Sequence, residues 1–186
     1  MATQPPPLPP ELYGVFPGPI SAETVARIVN GLTNASAKNV RHIHLMFNST
    51  GGMVGEGVTL YNLFRTLPFD LTLYNSGMVA SIAVIAYLGA RHRMVSSHAT
   101  FMIHRTQVPI PVGAHASRVQ TIDNAAVLDD ERTEAILRKH ITLTDERWAH
   151  FYHDDLYFSA EEAVASGLAE AIGEFSPPAG TPIYYV

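Results

Sequence analysis

A serine, a histidine, a pair of glycines and a pair of aspartates are the residues of this chain whose types and spacing could do chemistry. Ser81 lies in the stretch from Leu73 to Ala90, where an extended, half-buried pattern breaks at Asn75-Ser76-Gly77 and an apolar run with helical spacing follows. That reading puts Ser81 in the first turn of a buried helix. Unpaired N–H groups and partial positive charge at such a turn favour negative charge developing close by. A serine there fits either an activated nucleophile or an ordinary cap, because Ser is a preferred N-cap residue. His104 closes Phe101-Met-Ile-His104, which reads as a strand, and Gly51-Gly52 follow another strand. Glycines in that place let the backbone come close to a ligand with its N–H groups outward. Asp154 and Asp155 precede a helix start, and either is available to orient an imidazole. A hydroxyl needs an adjacent base to attack at neutral pH, and imidazole titrates close enough to serve.

The elements that must hold these residues alternate. A short strand over Leu12–Phe16 ends at Pro17-Gly18-Pro19, and Ser21 then caps a helix carrying Val25, Ile28, Val29 and Leu32 at helical spacing. Val40–Phe47 is a core strand, with Ile43, Leu45 and Phe47 on one face and His42, His44 and Met46 on the other. Val54, Val58, Tyr61 and Phe64 mark an amphipathic helix. The pattern repeats as strand Leu71–Tyr74, a turn, helix Ser81–Leu88, a turn at Arg91–Arg93, and strands Met94–Ser96 and Thr100–His104. Strands alternating with helices predict right-handed βαβ crossovers and a mainly parallel sheet. Ligands gather beyond the carboxyl ends of such strands, so the glycine pair, the serine and the histidine fall on roughly one edge.

After His104 the character changes. Val108–Gly113 is extended, and its two prolines keep it out of a central strand. Ala114–His140 is free of Gly and Pro and reads as a long, partly exposed helix, with the charge run Asp129–Glu134 as its solvated face. Thr142–Tyr152 predicts another helix and Asp154–Phe158 a short extended piece. Ser159 and Glu162 form a capping box whose helix stops at Gly167. The expected layout is a proline-rich flexible arm over 1–11, a single domain over 12–174 with a protruding helix at about 114–140, and a C-terminal tail over 175–186. That tail is expected to pack only through Ile183 and the two tyrosines.

Composition narrows the function classes. The 186 residues are 47% hydrophobic and 16% charged, ordinary for a globular domain with a real core. A net charge of −5 carries no basic footprint for nucleic acid. Cysteine is absent, which removes disulfides, thiol catalysis and thiolate metal sites together. The apolar run Met78–Ala90 is too short to span a membrane, and no basic-then-apolar leader opens the chain. A cytoplasmic protein is the expectation. Nine histidines invite a metal site, at His42-x-His44 or around His150, His153 and Asp154. No third ligand of known position joins either group, so no metal is expected.

Four segments resemble one family, the proteolytic subunit of the Clp protease (the ClpP-like serine peptidases). Asn48-Ser-Thr-Gly-Gly52 is similar to that family's Asn-Ser-Pro-Gly-Gly turn, and Gly77-Met-Val-Ala-Ser81 to its nucleophile segment Gly-x-Ala-Ala-Ser. Met102-Ile-His104 is similar to its Met-Ile-His, and Asp155-Leu-Tyr-Phe-Ser-Ala160 to its Asp-Arg-Phe-x-Ser-Ala. The likeness runs from about Leu12 to Glu174.

The resemblance implies an α/β, ClpP/crotonase-like spiral of βαβ units with a protruding helical handle. It implies a serine endopeptidase in which Ser81 is the nucleophile, His104 the general base and Asp155 the acid that orients it. The backbone N–H groups of Gly52 and Ile82 would form the oxyanion hole, and no cofactor is called for. Peptides or unfolded proteins would be the substrates, enclosed by homo-oligomeric rings stacked through the Ala114–His140 handle, with an AAA+ unfoldase as a further partner. No nucleic acid or membrane partner is implied.

This chain departs from the family at Thr50, where proline is usual, and at Val79, where alanine is usual. Arg105-Thr106 replaces Gln-Pro after the histidine, and the proline-rich N-terminus does not resemble the axial-loop segment. There is no phosphate-cradling glycine loop followed by Lys, so the chain is not expected to hydrolyse ATP itself. The rival readings are a crotonase-type acyl-CoA enzyme, which shares the fold but needs no Ser–His pair, and a catalytically silent scaffold subunit.

Overall fold

Alternation along β2 (His42–Asn48) sets the layers of the sheet. Ile43, Leu45 and Phe47 are buried on one face, while His42, His44 and Met46 are half-buried on the other. This strand lies near the middle of a six-stranded sheet in a computed structural model that describes residues 10–186. Most of the proline-rich arm expected over 1–11 lies outside the described residues.

β1 (Glu11–Pro17), β2, β3 (Asp70–Asn75) and β5 (His92–Val95) pair in parallel, in the order β5-β3-β2-β1. The crossovers are α1 (Ala22–Ala37) and α2 (Val54–Phe64), followed by a longer excursion through β4 (Met78–Ala80) and α3 (Ile82–Tyr87). Helices that connect parallel strands in this way keep the sheet covered. Ser21 caps α1 through a capping box with Thr24. Every residue of α3 is buried, which makes it the helix at the centre of the core.

Two strands lie at the margins. β8 (Ala171–Ile172) extends the sheet beyond β5, and β9 (Ile183–Tyr185) pairs in parallel with β1. The C-terminal residues Ile183, Tyr184 and Tyr185 are thus a sheet edge as well as surface side chains.

A second, three-stranded sheet is built from β4, β6 (Thr100–Ile103) and β7 (Leu156–Phe158). β4 runs parallel to β6, and β7 runs antiparallel to it. The sequence reading takes Met78–Ala80 as a turn leading into the helix, and Arg91–Arg93 as a turn. Both include strand residues, β4 and the start of β5. A short apolar run carries no periodicity that separates strand from buried helix, so only its pairing partners reveal β4.

α4 (Ala116–His140) is the long helix, and of its residues only Leu137 is buried. Val119 and Ile122 are half-buried in a groove shared with Val108 and Ile110 of the extended segment before it, while Val127 and Leu128 stand exposed. α5 (Asp145–Phe151) and α6 (Ala160–Ser166) complete the fold. Ser159 and Glu162 cap α6, and Gly167 ends it in the left-handed conformation. Among the described residues no helix is long and apolar enough to cross a membrane.

Candidate active site

Ser81 stands between β4 and α3. Ala80 N–H donates to Ser49 C=O and Ser81 N–H to Met102 C=O, each at 2.8 Å, so the strand is pinned on both sides up to the serine. The chain then turns at once into α3, with Ser81 at φ 57° and ψ −134°. A non-glycine residue in that region costs about 1–3 kcal/mol and persists only where its surroundings impose it. Ser81 holds the N-cap position but makes no side-chain cap hydrogen bond, which removes the capping alternative. Gly51 packs directly on it. A Cβ at Gly51, whose φ is 104°, would stand 2.7 Å from Ser81 Cβ.

The hydroxyl is engaged elsewhere. Ser81 Oγ lies 2.7 Å from His104 Nε2. For Ser81 to donate in that bond, Nε2 is the bare nitrogen and Nδ1 carries the proton. The antiparallel register of β6 and β7 supplies the next partner. Ile103 pairs with Leu156 as the last rung, and the next residues beyond it on the two strands are His104 and Asp155. Asp155 Oδ1 is 3.4 Å from His104 Nδ1, near enough for an ion pair but without the alignment of a formed hydrogen bond, so Nδ1 is buried and unpaired. Catalytic contacts of this kind commonly tighten when substrate is bound. Asp154 turns the other way, with its carboxylate 3.6 Å from His150 and largely exposed. The fold thus brings Asp155, and not its neighbour, to the imidazole.

Gly52 and Ile82 line the same space as Ser81 and His104. Ile20 N–H donates to Gly51 C=O and Met53 N–H to Ile20 C=O, both at 2.8 Å. Bonding on either side of Gly52 leaves its own N–H turned away from Ile20. Only glycine fits there, since a Cβ would stand 2.2 Å from the Ile20 carbonyl oxygen. The Ile82 amide belongs to the first turn of α3, where N–H groups have no partner within the helix. Gly52, Ser81, Ile82 and His104 line one cavity of about 210 Å³. Val54, Ile85, Ile103 and Leu137 give it an apolar wall, and Arg105, Thr106, Gln107 and Thr133 a polar one.

The charge run Asp129–Glu134 is not wholly the solvated face that its composition suggests. Asp130 turns inward to Arg105 and the Thr106 amide. One turn on, Glu134 accepts from the Tyr152 hydroxyl at 2.6 Å and from Arg138 Nε at 2.7 Å. Burial pushes the Glu134 carboxyl up, but these two donors outweigh it and hold it below the usual carboxylate range. The spacing Asp130, Glu134, Arg138 marks one helix face. That i, i+4, i+8 repeat is the signal by which sequence could have separated them from Asp129 and Glu131.

The histidines of β2 are packed, not poised. His42 Nε2 lies 2.7 Å from Thr72 Oγ1, His44 Nδ1 lies 2.9 Å from the Tyr74 hydroxyl, and the two rings stack at 4.0 Å. Burial holds both below the ordinary histidine value. Among the described residues no group of three or more His, Asp or Glu is placed to hold a metal ion.

A strand-to-helix serine, an imidazole on its hydroxyl and a glycine amide beside both, on a spiral of βαβ units, define a serine-hydrolase arrangement on a ClpP/crotonase-like fold. A family profile described as Clp protease matches residues 14–176, and the chain belongs to that family, the Clp serine-type peptidases. It is 31% identical over 135 residues to the "ATP-dependent Clp protease proteolytic subunit 4" of Rhodococcus jostii, covering 71% of this chain and 68% of the relative. It is 28% identical over 165 residues to the "ATP-dependent Clp protease proteolytic subunit" of Streptococcus equi subsp. equi, covering 84% and 82%.

Proposed function

We propose that this chain is a serine endopeptidase that cleaves peptide bonds through Ser81, His104 and Asp155. The observation that carries the reading is the 2.7 Å contact of Ser81 Oγ with His104 Nε2, with Asp155 beyond the opposite ring nitrogen. His104 Nε2 takes the hydroxyl proton as Oγ attacks the scissile carbonyl carbon. The carbonyl π electrons move to oxygen, and the amides of Gly52 and Ile82 stabilise that oxyanion, each such donor contributing about 3–4 kcal/mol. Asp155 holds the imidazole in the right tautomer and balances its charge while it is an imidazolium. The imidazolium then protonates the leaving amine, the C–N bond breaks, and an acyl-Ser81 ester remains. Water, deprotonated by His104, hydrolyses that ester and restores the hydroxyl.

The substrates fitting a cavity of about 210 Å³ are extended peptides and unfolded segments, one side chain of which enters the apolar wall of Val54, Ile85, Ile103 and Leu137. Self-assembly into rings, stacked through α4, accounts for a long helix that buries only Leu137 within its own subunit. Such rings would work in the cytoplasm, a setting in keeping with the family resemblance. Since the sequence has no phosphate-cradling loop, any ATP-driven unfolding falls to a separate AAA+ partner.

The test is covalent labelling by a fluorophosphonate, peptide mapping of the adduct, and turnover of a fluorogenic peptide by Ser81→Ala. The adduct is expected on Ser81 and the variant is expected to be inactive, with its fold intact because Ser and Ala are close in size. Normal turnover by Ser81→Ala ends the reading. Saturable binding of coenzyme A without labelling favours the acyl-CoA alternative, and a folded, unlabelled ring favours the scaffold.

A further inference from the structure

We propose that Asp130, on the face of α4 turned toward the domain, is a positioning residue that sets His104 against Ser81 by fixing the two residues that follow it. The proposal rests on the triad reading above. Asp130 Oδ1 accepts from the Thr106 backbone N–H at 2.6 Å, and Oδ2 accepts from Arg105 Nε at 2.9 Å and lies 2.7 Å from Arg105 Nη2. One carboxylate therefore grips the backbone of one residue and the side chain of its neighbour. Its side chain is only 13% exposed, so water competes weakly for these bonds.

The position of this clamp in the chain gives it its consequence. β6 ends at Ile103, so His104 is the first residue no longer held by the small sheet on its N-terminal side. The next strand or helix in the chain is α4, reached through the extended 107–113 segment. Asp130 supplies the hydrogen bonds that hold residues 105 and 106 just after the strand ends. Arg105 also stands over the Tyr152 ring at 5.7 Å, and Tyr152 lies three residues before Asp155. The clamp thus connects the base, the helix and the loop that supplies the acid.

The residues at 105 and 106 are the two at which this chain departs from its family after the histidine. Proline at 106 would have no N–H to give Asp130, and glutamine at 105 would have no charge to pair with it. Both departures meet the same carboxylate. This links the sequence change to one contact and argues against an incidental surface ion pair, which is worth little by itself.

Misplacing a catalytic group by about 1 Å costs up to roughly 100-fold in rate. Asp130→Asn and, independently, Thr106→Pro are therefore expected to lower kcat for a fluorogenic peptide and the fluorophosphonate labelling rate about 10- to 100-fold, with KM within about twofold. Thermal melting and sedimentation, run on the same full-length samples, report the fold and the assembly. On a His104→Ala background, Asp130→Asn is expected to change residual labelling by less than about twofold, because its effect runs through the imidazole. The proposal is overturned by any of three results: kcat within about twofold of the parent in both variants, a rise in KM with kcat kept, or an undiminished Asp130→Asn effect without His104. If Asp130→Asn fails to fold, Thr106→Pro decides alone, since it leaves the carboxylate in place. A parent protein that is not labelled at Ser81 instead refutes the triad, which is a separate outcome.

Discussion

Gly57 of α2 lies against Ile82 of α3 so closely that a Cβ on the glycine would stand 2.3 Å from Ile82 Cγ1 and 3.0 Å from the Ile82 carbonyl oxygen. The contact matters because Ile82 starts the helix that follows Ser81, and its amide is one of the two proposed oxyanion donors. A methyl group here presses on the donor from behind. Gly57→Ala is expected to lower stability by about 1–3 kcal/mol, the usual cost of overpacking, and to slow fluorophosphonate labelling more than it raises KM. Denaturant unfolding and labelling kinetics on one preparation check both effects. Unchanged labelling would show that α3 can shift without moving the amide.

The two adjacent aspartates separate cleanly. Asp155→Asn keeps a hydrogen-bonding group near His104 Nδ1 but favours the wrong tautomer, which is expected to cost about 10⁴ in kcat. Asp154→Asn removes only an exposed partner of His150 and is expected to leave kcat nearly unchanged. Steady-state kinetics of the two variants side by side makes the comparison. A crippled Asp154→Asn with an active Asp155→Asn would reverse the assignment.

Ile122 sits half-buried on α4 in the groove it shares with Val108, Ile110 and Val119. If that groove meets the same surface of a facing subunit, a carboxylate placed there has no partner to compensate its desolvation. Ile122→Asp is expected to split the assembly into smaller species and to reduce peptidase activity with it. Analytical ultracentrifugation alongside the peptide assay tests both halves. A small species with full activity would break the link between assembly and catalysis.

Acid is expected to weaken the fold through histidines that are packed in the neutral form. His140, at the end of α4, is pushed down to about 4, first by burial and then by Arg93, Lys139 and Arg65 nearby, and its Nε2 lies 2.9 Å from the Tyr61 hydroxyl. A folded-state value below the unfolded one of about 6.5 means that the unfolded chain binds the proton first. The stability contribution is thus complete above about pH 6.5 and is lost as pH falls toward about 4, with His42 and His44 acting in the same direction. Thermal melts between about pH 7.5 and 4.5 should show a falling midpoint, and His140→Gln should flatten that slope. A slope unaffected by His140→Gln would assign the acid sensitivity to other groups.

Much of the fold was legible because its local rules agree with each other. The alternation in Val40–Phe47, the capping residues Ser21 and Ser159, and the stop at Gly167 each state an element and one of its ends, and the structure has all of them. That Ser81 and His104 share one edge was legible as topology, although the strand that delivers Ser81 is β4, paired in parallel with β6, and not the expected Leu71–Tyr74 strand. The conformation of Ser81 was not, because a positive φ on a serine is imposed by Gly51 and the flanking strand and leaves no mark in the local pattern. β4 was hidden in an apolar run whose pairing partners, Ser49 and β6, lie far along the chain. The inward turn of Asp130 was masked by the charges on either side of it. Its partners at 105 and 106 are read as a departure in sequence, and only packing shows what they depart toward.

The pairing of β9 with β1 joins Ile183 to Tyr13 across nearly the whole described chain. The chain is already tied to the sheet at Gly173, whose N–H donates to Val95 C=O, and the three side chains of β9 remain exposed, so few hydrogen bonds and little burial hold this strand in place. Such a strand docks late in folding and opens first in the native state, well below the free energy of global unfolding. Hydrogen exchange should therefore find the β9 amides labile while those of β2 and β3 stay protected. Each opening uncovers the outer edge of β1, a row of free backbone donors and acceptors from Tyr13 to Val15 that can template pairing with another chain. Three residues, Ile183 to Tyr185, thereby stand between that edge and a pairing partner from another chain.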